Sequence, residues 1–166
     1  MTNRTLASTM VGQDVSMPVA IAPTGLTGMM HADGEMLGAQ AAEEMGVPFT
    51  LSTMSVCSIE DVASVTTKPF WFQLYMLRDR DVILRLLERA LTAGCNTLVF
   101  TVDLAVAGMR HADTRNGMLA PGIKGSTAKL KQLLVRPSWI YDVAIKGRPL
   151  SFGNLTECVA NPNDLN

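Results

Sequence analysis

The chain has 166 residues, 48% of them hydrophobic and 17% charged, with a formal net charge of -1. That length suits one domain of ordinary size, and the composition is too apolar and too weakly charged for a disordered chain. The near-neutral charge argues against a dedicated nucleic-acid binder, and no apolar run approaches the ~20 residues of a membrane-spanning helix.

Met1-Thr2-Asn3-Arg4-Thr5-Leu6 has no continuous apolar core, so it does not read as a secretory signal. Residues 1–17 are expected to form an irregular, polar lead-in. The first strand is expected at Pro18-Val19-Ala20-Ile21-Ala22-Pro23-Thr24, followed by Thr24-Gly25-Leu26-Thr27-Gly28, a turn of small residues that lets backbone come close to a ligand. A helix from about Asp33 to Met45 follows, with Leu37, Ala41 and Met45 as its apolar row, Asp33 as its N-cap and Gly46 at its end.

Pro48-Phe49-Thr50-Leu51-Ser52-Thr53 reads as the second strand. Ser58 caps a short helix with Glu60 and Asp61 in its first turn. Pro69-Phe70-Trp71-Phe72-Gln73-Leu74-Tyr75 is the third strand, short, aromatic and apolar. Alternation puts Phe72 and Leu74 on one face and Trp71, Gln73 and Tyr75 on the other. A buried amide and hydroxyl need partners, because an unpaired one costs about 1–3 kcal/mol. The third helix runs from the cap Asp79 to Gly94, with Val82, Ile83, Leu86, Leu87, Ala90 and Leu91 as its stripe and Arg85, Glu88 and Arg89 on the wet side. Thr97-Leu98-Val99-Phe100-Thr101-Val102-Asp103 is the fourth strand.

Each strand ends in a polar group, and the C-terminal end of a parallel α/β sheet is where ligands sit. Strand–helix alternation with short loops predicts a parallel sheet. No fifth strand is expected between Leu104 and Asn166. The fold class is therefore α/β, and the physical reading is half of a β/α barrel. Cys57, Cys95 and Cys158 are odd in number and widely spaced, which suits buried thiols in a reducing compartment better than a disulfide framework or a zinc site.

Ala22-Pro23-Thr24-Gly25, Leu51-Ser52-Thr53, Trp71-Phe72-Gln73-Leu74-Tyr75 and Thr101-Val102-Asp103, then Gly108-Met109-Arg110 and Asp113, together resemble the FMN-dependent α-hydroxy acid dehydrogenases. The ordered set runs from about Ser16 to Asn154. Arg136-Pro137-Ser138-Trp139, Asp142-Val143, Gly147-Arg148-Pro149 and Gly153-Asn154 are most similar to the bacterial quinone-linked L-lactate dehydrogenases.

The resemblance implies a TIM-type barrel of eight β/α units. Of these, residues 18–103 supply four, with 1–17 as lead-in and 104–166 as the long loop after strand four. It implies FMN against the backbone of Pro23, Thr24 and Gly25, with hydrogen bonds from Ser52, Gln73 and Thr101. Tyr75 and Arg110 would meet a small 2-hydroxy acid, most simply L-lactate, and Asp103 would support the polar network. Electrons would pass to a quinone or another acceptor. The chemistry of the residues agrees: an amide satisfies both donors and acceptors of the flavin's pyrimidine edge, and an arginine fork matches a carboxylate.

By the same resemblance, the catalytic histidine, a second substrate arginine and the phosphate-binding loops are expected beyond Asn166, and a substrate tyrosine before Met1. The chain then reads as an internal piece with no catalytic residue of its own, neither His31 nor His111 matching that position. A homo-oligomer is expected at full length. The alternative reading is an inactive half-barrel that self-associates or holds flavin weakly.

Residues 122–150 set Lys124, Lys129, Lys131, Arg136, Lys146 and Arg148 against one acid, Asp142, with Leu130, Leu133, Leu134, Val135, Trp139, Ile140 and Tyr141 interleaved. This suits an anionic headgroup boundary; the bland alternative is a solvated basic loop over the barrel mouth. The corresponding location is the cytoplasm, with peripheral contact on the cytoplasmic face of the inner membrane.

Overall fold

The computed structural model describes residues 4–103, 108, 111–115 and 133–156. The lead-in is not irregular. Strands β1 (Ser8–Met10) and β2 (Gln13–Val15) form an antiparallel hairpin with Met10 opposite Gln13. Its two turn residues, Val11 and Gly12, have φ of 49° and 78°. Positive φ at both central positions is the geometry that matches the right-handed twist of a two-residue hairpin. Glycine enters that region freely, whereas a β-branched valine does so at a cost. The hairpin packs at the N-terminal end of the sheet, where Trp71 Nε1 donates to Gln13 Oε1 at 3.0 Å.

The expected first strand is reduced to one parallel bridge, Ile21 with Phe49. Ile21 N donates to Pro48 O at 2.8 Å and Ile21 O accepts from Thr50 N at 3.1 Å. The ladder cannot continue on either side. Val19 N is spent on Met17 O, and Pro23 has no N–H to give.

Strands β3 (Thr50–Ser52), β4 (Trp71–Tyr75) and β5 (Thr97–Thr101) form a parallel sheet in that order. Ser52 pairs with Gln73, Gln73 with Val99 and Tyr75 with Thr101. Helices α1 (Gly34–Met45), α2 (Ile59–Val65) and α3 (Arg80–Thr92) alternate with the strands. Leu51, Phe72 and Leu74 point toward the helices and join Ala39, Ala42, Ile59, Val62, Val82, Leu86 and Ala90 in one core. This is the architecture of a partial α/β barrel. Leu98 and Phe100, on the same face of β5, are 50% and 47% exposed.

Two apolar rows differ from expectation. Leu37, Ala41 and Met45 face outward, and α1 buries Glu35, Ala39 and Ala42 instead. Close approach to the sheet selects small residues: a Cβ on Gly38 would stand 3.2 Å from the Phe49 ring. On α3 the buried row is Val82, Leu86 and Ala90, and Leu91 is exposed with Leu84, seven residues away on the same outer face.

The caps follow the expected residues with one exception. Asp79 Oδ1 accepts from Asp81 N and Val82 N, and Ser58 with Asp61 forms a reciprocal capping box. Gly46 closes α1 in the left-handed region. Asp33 precedes α1 but makes no side-chain cap. Its carboxylate takes Arg148 Nε at 2.8 Å instead.

After β5 come a short helix α4 (His111–Arg115), then α5 (Pro137–Trp139), which runs into a π-helical stretch, Ile140–Lys146. Among the described residues no helix is long and apolar enough to cross a membrane.

Candidate active site

Three of the residues expected to hold a ligand, Ser52, Gln73 and Thr101, meet at the C-terminal ends of the three parallel strands. Ser52 Oγ donates to Gln73 Oε1 at 3.0 Å, and Gln73 Nε2 donates to Thr101 Oγ1 at 2.9 Å. Thr53 N adds a second donor to Gln73 Oε1 at 3.3 Å. One amide thus joins all three strands. Gln73 is 1% exposed and Ser52 2%, whereas Thr101 and Tyr75 are half-buried.

The inventory of protons shows what remains for a ligand. A carboxamide carries two donors and a threonine hydroxyl one. Among the described residues, one N–H of Gln73 and the O–H of Thr101 have no protein acceptor. Gln73 and Thr101 thus each keep one donor at the C-terminal end of the sheet, with Tyr75 two residues further along the same face of β4.

Thr53, at the end of the Leu51-Ser52-Thr53 motif, is a further member of this cluster. Its hydroxyl donates to Gln73 O at 2.6 Å and accepts from Tyr75 N at 3.3 Å. It thereby extends the pairing of β3 and β4 by one residue. The turn at Pro23, Thr24 and Gly25 runs exposed beside this end of the sheet, tied to the β3–α2 loop by Leu26 N on Met54 O at 2.9 Å. Asp103 is exposed, just past β5. Arg110, the expected carboxylate fork, lies outside the described residues, as does Cys158.

Neither histidine joins this cluster by hydrogen bond. His31 Nδ1 lies 2.9 Å from Ala32 O and 3.7 Å from Asp142 Oδ2, and His111 is exposed on α4. Beneath the site, Glu35 Oε1 accepts from Val56 N at 2.9 Å, and Cys57 is fully buried. Burial, and then the Glu35 charge, push the Cys57 thiol up to about 12, so it stays protonated and unreactive.

The segment after residue 136 docks beside the mouth. Trp139 Nε1 donates to Met29 O at 2.8 Å, and Asp142 Oδ2 accepts from Ala32 N at 3.1 Å. Arg148 bridges Asp33 at 2.8 Å and Asp61 at 3.0 Å. Leu134, Val135, Tyr141 and Ile145 are left exposed, and Lys146 Nζ sits 4.5 Å over the Tyr141 ring.

A family model described as FMN-dependent dehydrogenase matches residues 1–163. The L-lactate dehydrogenase of Azorhizobium caulinodans is 49% identical over 160 residues, which is 96% of this chain and 42% of that protein. The L-lactate dehydrogenase of Stenotrophomonas maltophilia is 47% identical over 165 residues, 99% of this chain and 43% of that one. The chain thus spans less than half the length of these curated relatives. Among solved structures, the monotopic membrane protein (S)-mandelate dehydrogenase superposes with a TM-score of 0.78 at 35% identity, over 91% of this chain and 40% of that one. Mandelate oxidase gives 0.67 at 42% identity, over 72% and 35%.

Proposed function

The chain belongs to the FMN-dependent dehydrogenase family, and we propose that it supplies the flavin-edge half of an enzyme oxidising a 2-hydroxy acid, L-lactate in the first instance. The observation that carries this is the Ser52–Gln73–Thr101 chain, which presents two unspent donors at the C-terminal end of a parallel sheet. The pyrimidine edge of a flavin is a flat row of acceptors and donors, and these side chains have the chemistry to meet it. Ser52, Gln73 and Thr101 would hold that edge, with the backbone of Pro23, Thr24 and Gly25 against the ring. When bound, FMN supplies a two-electron acceptor.

The residues themselves do three things. Gln73, with both ends of its amide engaged, cannot rotate without losing bonds to two strands, so its spare N–H has a fixed direction. Tyr75 holds a substrate oxygen near the mouth, and Arg110 pairs with the substrate carboxylate. Asp103 supports them. The base for the hydroxyl proton is not assigned to this chain, because neither His31 nor His111 hydrogen-bonds into the Ser52–Gln73–Thr101 cluster. The 166-residue polypeptide alone is therefore expected to leave L-lactate unoxidised.

The electron acceptor we propose is a quinone. The L-lactate dehydrogenase relatives and the monotopic neighbour support this together with the exposed apolar side chains beside Arg136 and Lys146. Residues 122–150, of which 122–132 lie outside the described residues, would rest on an anionic membrane surface from the cytoplasmic side, each nearby basic side chain adding about 1 kcal/mol. At full length we propose a homo-oligomer.

The test is a flavin titration of the purified chain followed by fluorescence. Thr101→Val keeps shape and removes the hydroxyl, and it should weaken FMN binding about tenfold while leaving the circular dichroism unchanged. Equal affinity in the two proteins would remove Thr101 from the site.

A further inference from the structure

We infer that Asn154 is a positioning residue for the Ser52–Gln73–Thr101 chain, acting through the carbonyls at the end of β3. It is 0% exposed and lies about a hundred residues from everything its side chain touches. Nδ2 donates to Ser52 O at 3.1 Å and to Ser55 Oγ at 2.9 Å, with Thr53 O at 3.5 Å. Oδ1 accepts from Ile59 N at 2.8 Å, one of the first-turn N–H groups of α2 that have no partner within the helix.

The need for such a residue follows from the sheet. Along β3, the backbone of Pro48 and Thr50 faces the Ile21 side. Ser52, two residues further, faces the same way. The ladder there stops at Ile21 because Pro23 offers no N–H. Ser52 O thus has no strand N–H on that side, and it is the carbonyl of the very residue whose hydroxyl orients Gln73. Ser55 N supplies one bond to it at 3.2 Å, and the Asn154 amide supplies the other. Asn154 stands in for a missing strand.

The residue is itself fixed from behind. Arg89 Nη1 donates to Asn154 O at 2.8 Å while its other nitrogens clasp Glu60, and Gly153 N donates to Ser55 O at 3.0 Å. A Cβ on Gly153 would lie 2.3 Å from Val56 O, so only glycine allows this approach. Leu155, 2% exposed, anchors the next position in the core. The segment following the basic stretch is therefore wired into the base of the site.

The consequence for flavin affinity rests on the reading proposed above; the consequence for Gln73 does not. The experiment compares the wild-type chain with Asn154→Asp by NMR. Aspartate keeps the acceptor for Ile59 N and turns a carboxylate oxygen toward two carbonyls. Proton exchange with water at the Gln73 side-chain amide and at Thr53 N should quicken at least tenfold, while the Phe72 and Leu74 amides keep wild-type rates. FMN affinity should fall at least tenfold in the same sample.

If Asn154→Asp does not fold, Arg89→Met releases the Asn154 carbonyl without touching its carboxamide. It should quicken the same two sites about threefold. Unchanged exchange at Gln73 in the variant that folds overturns the inference. So does a uniform increase at every amide, which would make Asn154 a general prop of the fold. A loosened Gln73 with FMN affinity unchanged, or absent from both proteins, upholds the positioning role and sinks the flavin assignment alone.

Discussion

Replacing Gln73 by leucine removes the one group that joins all three strands, and the structure sets the size of the effect. Three side-chain hydrogen bonds disappear: from Ser52 Oγ at 3.0 Å, from Thr53 N at 3.3 Å and to Thr101 Oγ1 at 2.9 Å. Thr53 N keeps its bond to the Gln73 carbonyl at 3.0 Å, so no backbone donor is orphaned. The Ser52 O–H loses its acceptor at 2% exposure, although its oxygen still accepts from Met54 N, and that costs about 1–3 kcal/mol. Thr101 is half-buried and can turn to water, which limits its loss to about 1 kcal/mol. Extra apolar burial by leucine returns about 1 kcal/mol. The net is about 1–3 kcal/mol, read as a urea midpoint shift at constant slope, or as about 2–4 °C of Tm per kcal/mol for a chain of this size.

The discriminating experiment adds Ser52→Ala. Alone it should cost about 1 kcal/mol for its bonds to Gln73 and from Met54 N. In the double variant no buried hydroxyl is left orphaned, so the cost should fall short of the sum by about 1–2 kcal/mol. Contacting residues couple in this way, whereas independent sites add within about 0.5 kcal/mol. Additive costs would show that the two side chains do not share a hydrogen bond, and the site as described would fail.

Further expectations can be checked with the same material. Val11 is 72% exposed and held at φ 49°, so Val11→Asn gives up little packing and relieves about 1 kcal/mol of left-handed backbone strain; a lower Tm would contradict the turn assignment. Burial pushes Cys57 and Cys95 up to about 12. Both should resist alkylation at pH 8 until the chain unfolds. The sign of the linkage follows: above about pH 9 the unfolded thiols ionise and the folded ones do not, so stability present at neutral pH should decline toward pH 12. A urea midpoint that rises over that interval would refute it. Ile145 is exposed beside Lys146, so Ile145→Glu should reduce sedimentation with vesicles rich in phosphatidylglycerol. Equal sedimentation of variant and wild type would argue against membrane contact through this stretch.

Much of this organisation is legible in the residues, for a physical reason. Strand alternation placed Gln73 opposite Phe72 and Leu74, and the polar strand ends Ser52 and Thr101 do converge on it. Caps were equally plain at Ser58, Asp79 and Gly46, where a single residue type serves a local need. Tertiary context decides the rest. Leu37, Ala41 and Met45 make a better apolar row than Ala39 and Ala42, but the closeness of α1 to Phe49 demands small side chains, and Glu35 is buried where its carboxylate accepts from Val56 N. The strand at 18–24 has the right composition, yet Pro23 removes the donor that would extend it. Asp33 has the right type for a cap and was claimed by Arg148 from 115 positions away. Asn154 is marked by the Gly153-Asn154 resemblance, but nothing local gives its role, because its partners are brought to it by the fold.

The claim that a flavin ring edge rests on Ser52, Gln73 and Thr101 is tested most directly by titrating the chain with FMN and with riboflavin, which has the ring but no phosphate. Saturable binding of both is expected, within about threefold of each other, because these strands meet the ring and not the phosphate. Gln73→Leu should weaken both by at least tenfold. Binding of FMN alone, or affinities indifferent to Gln73→Leu, would contradict the claim.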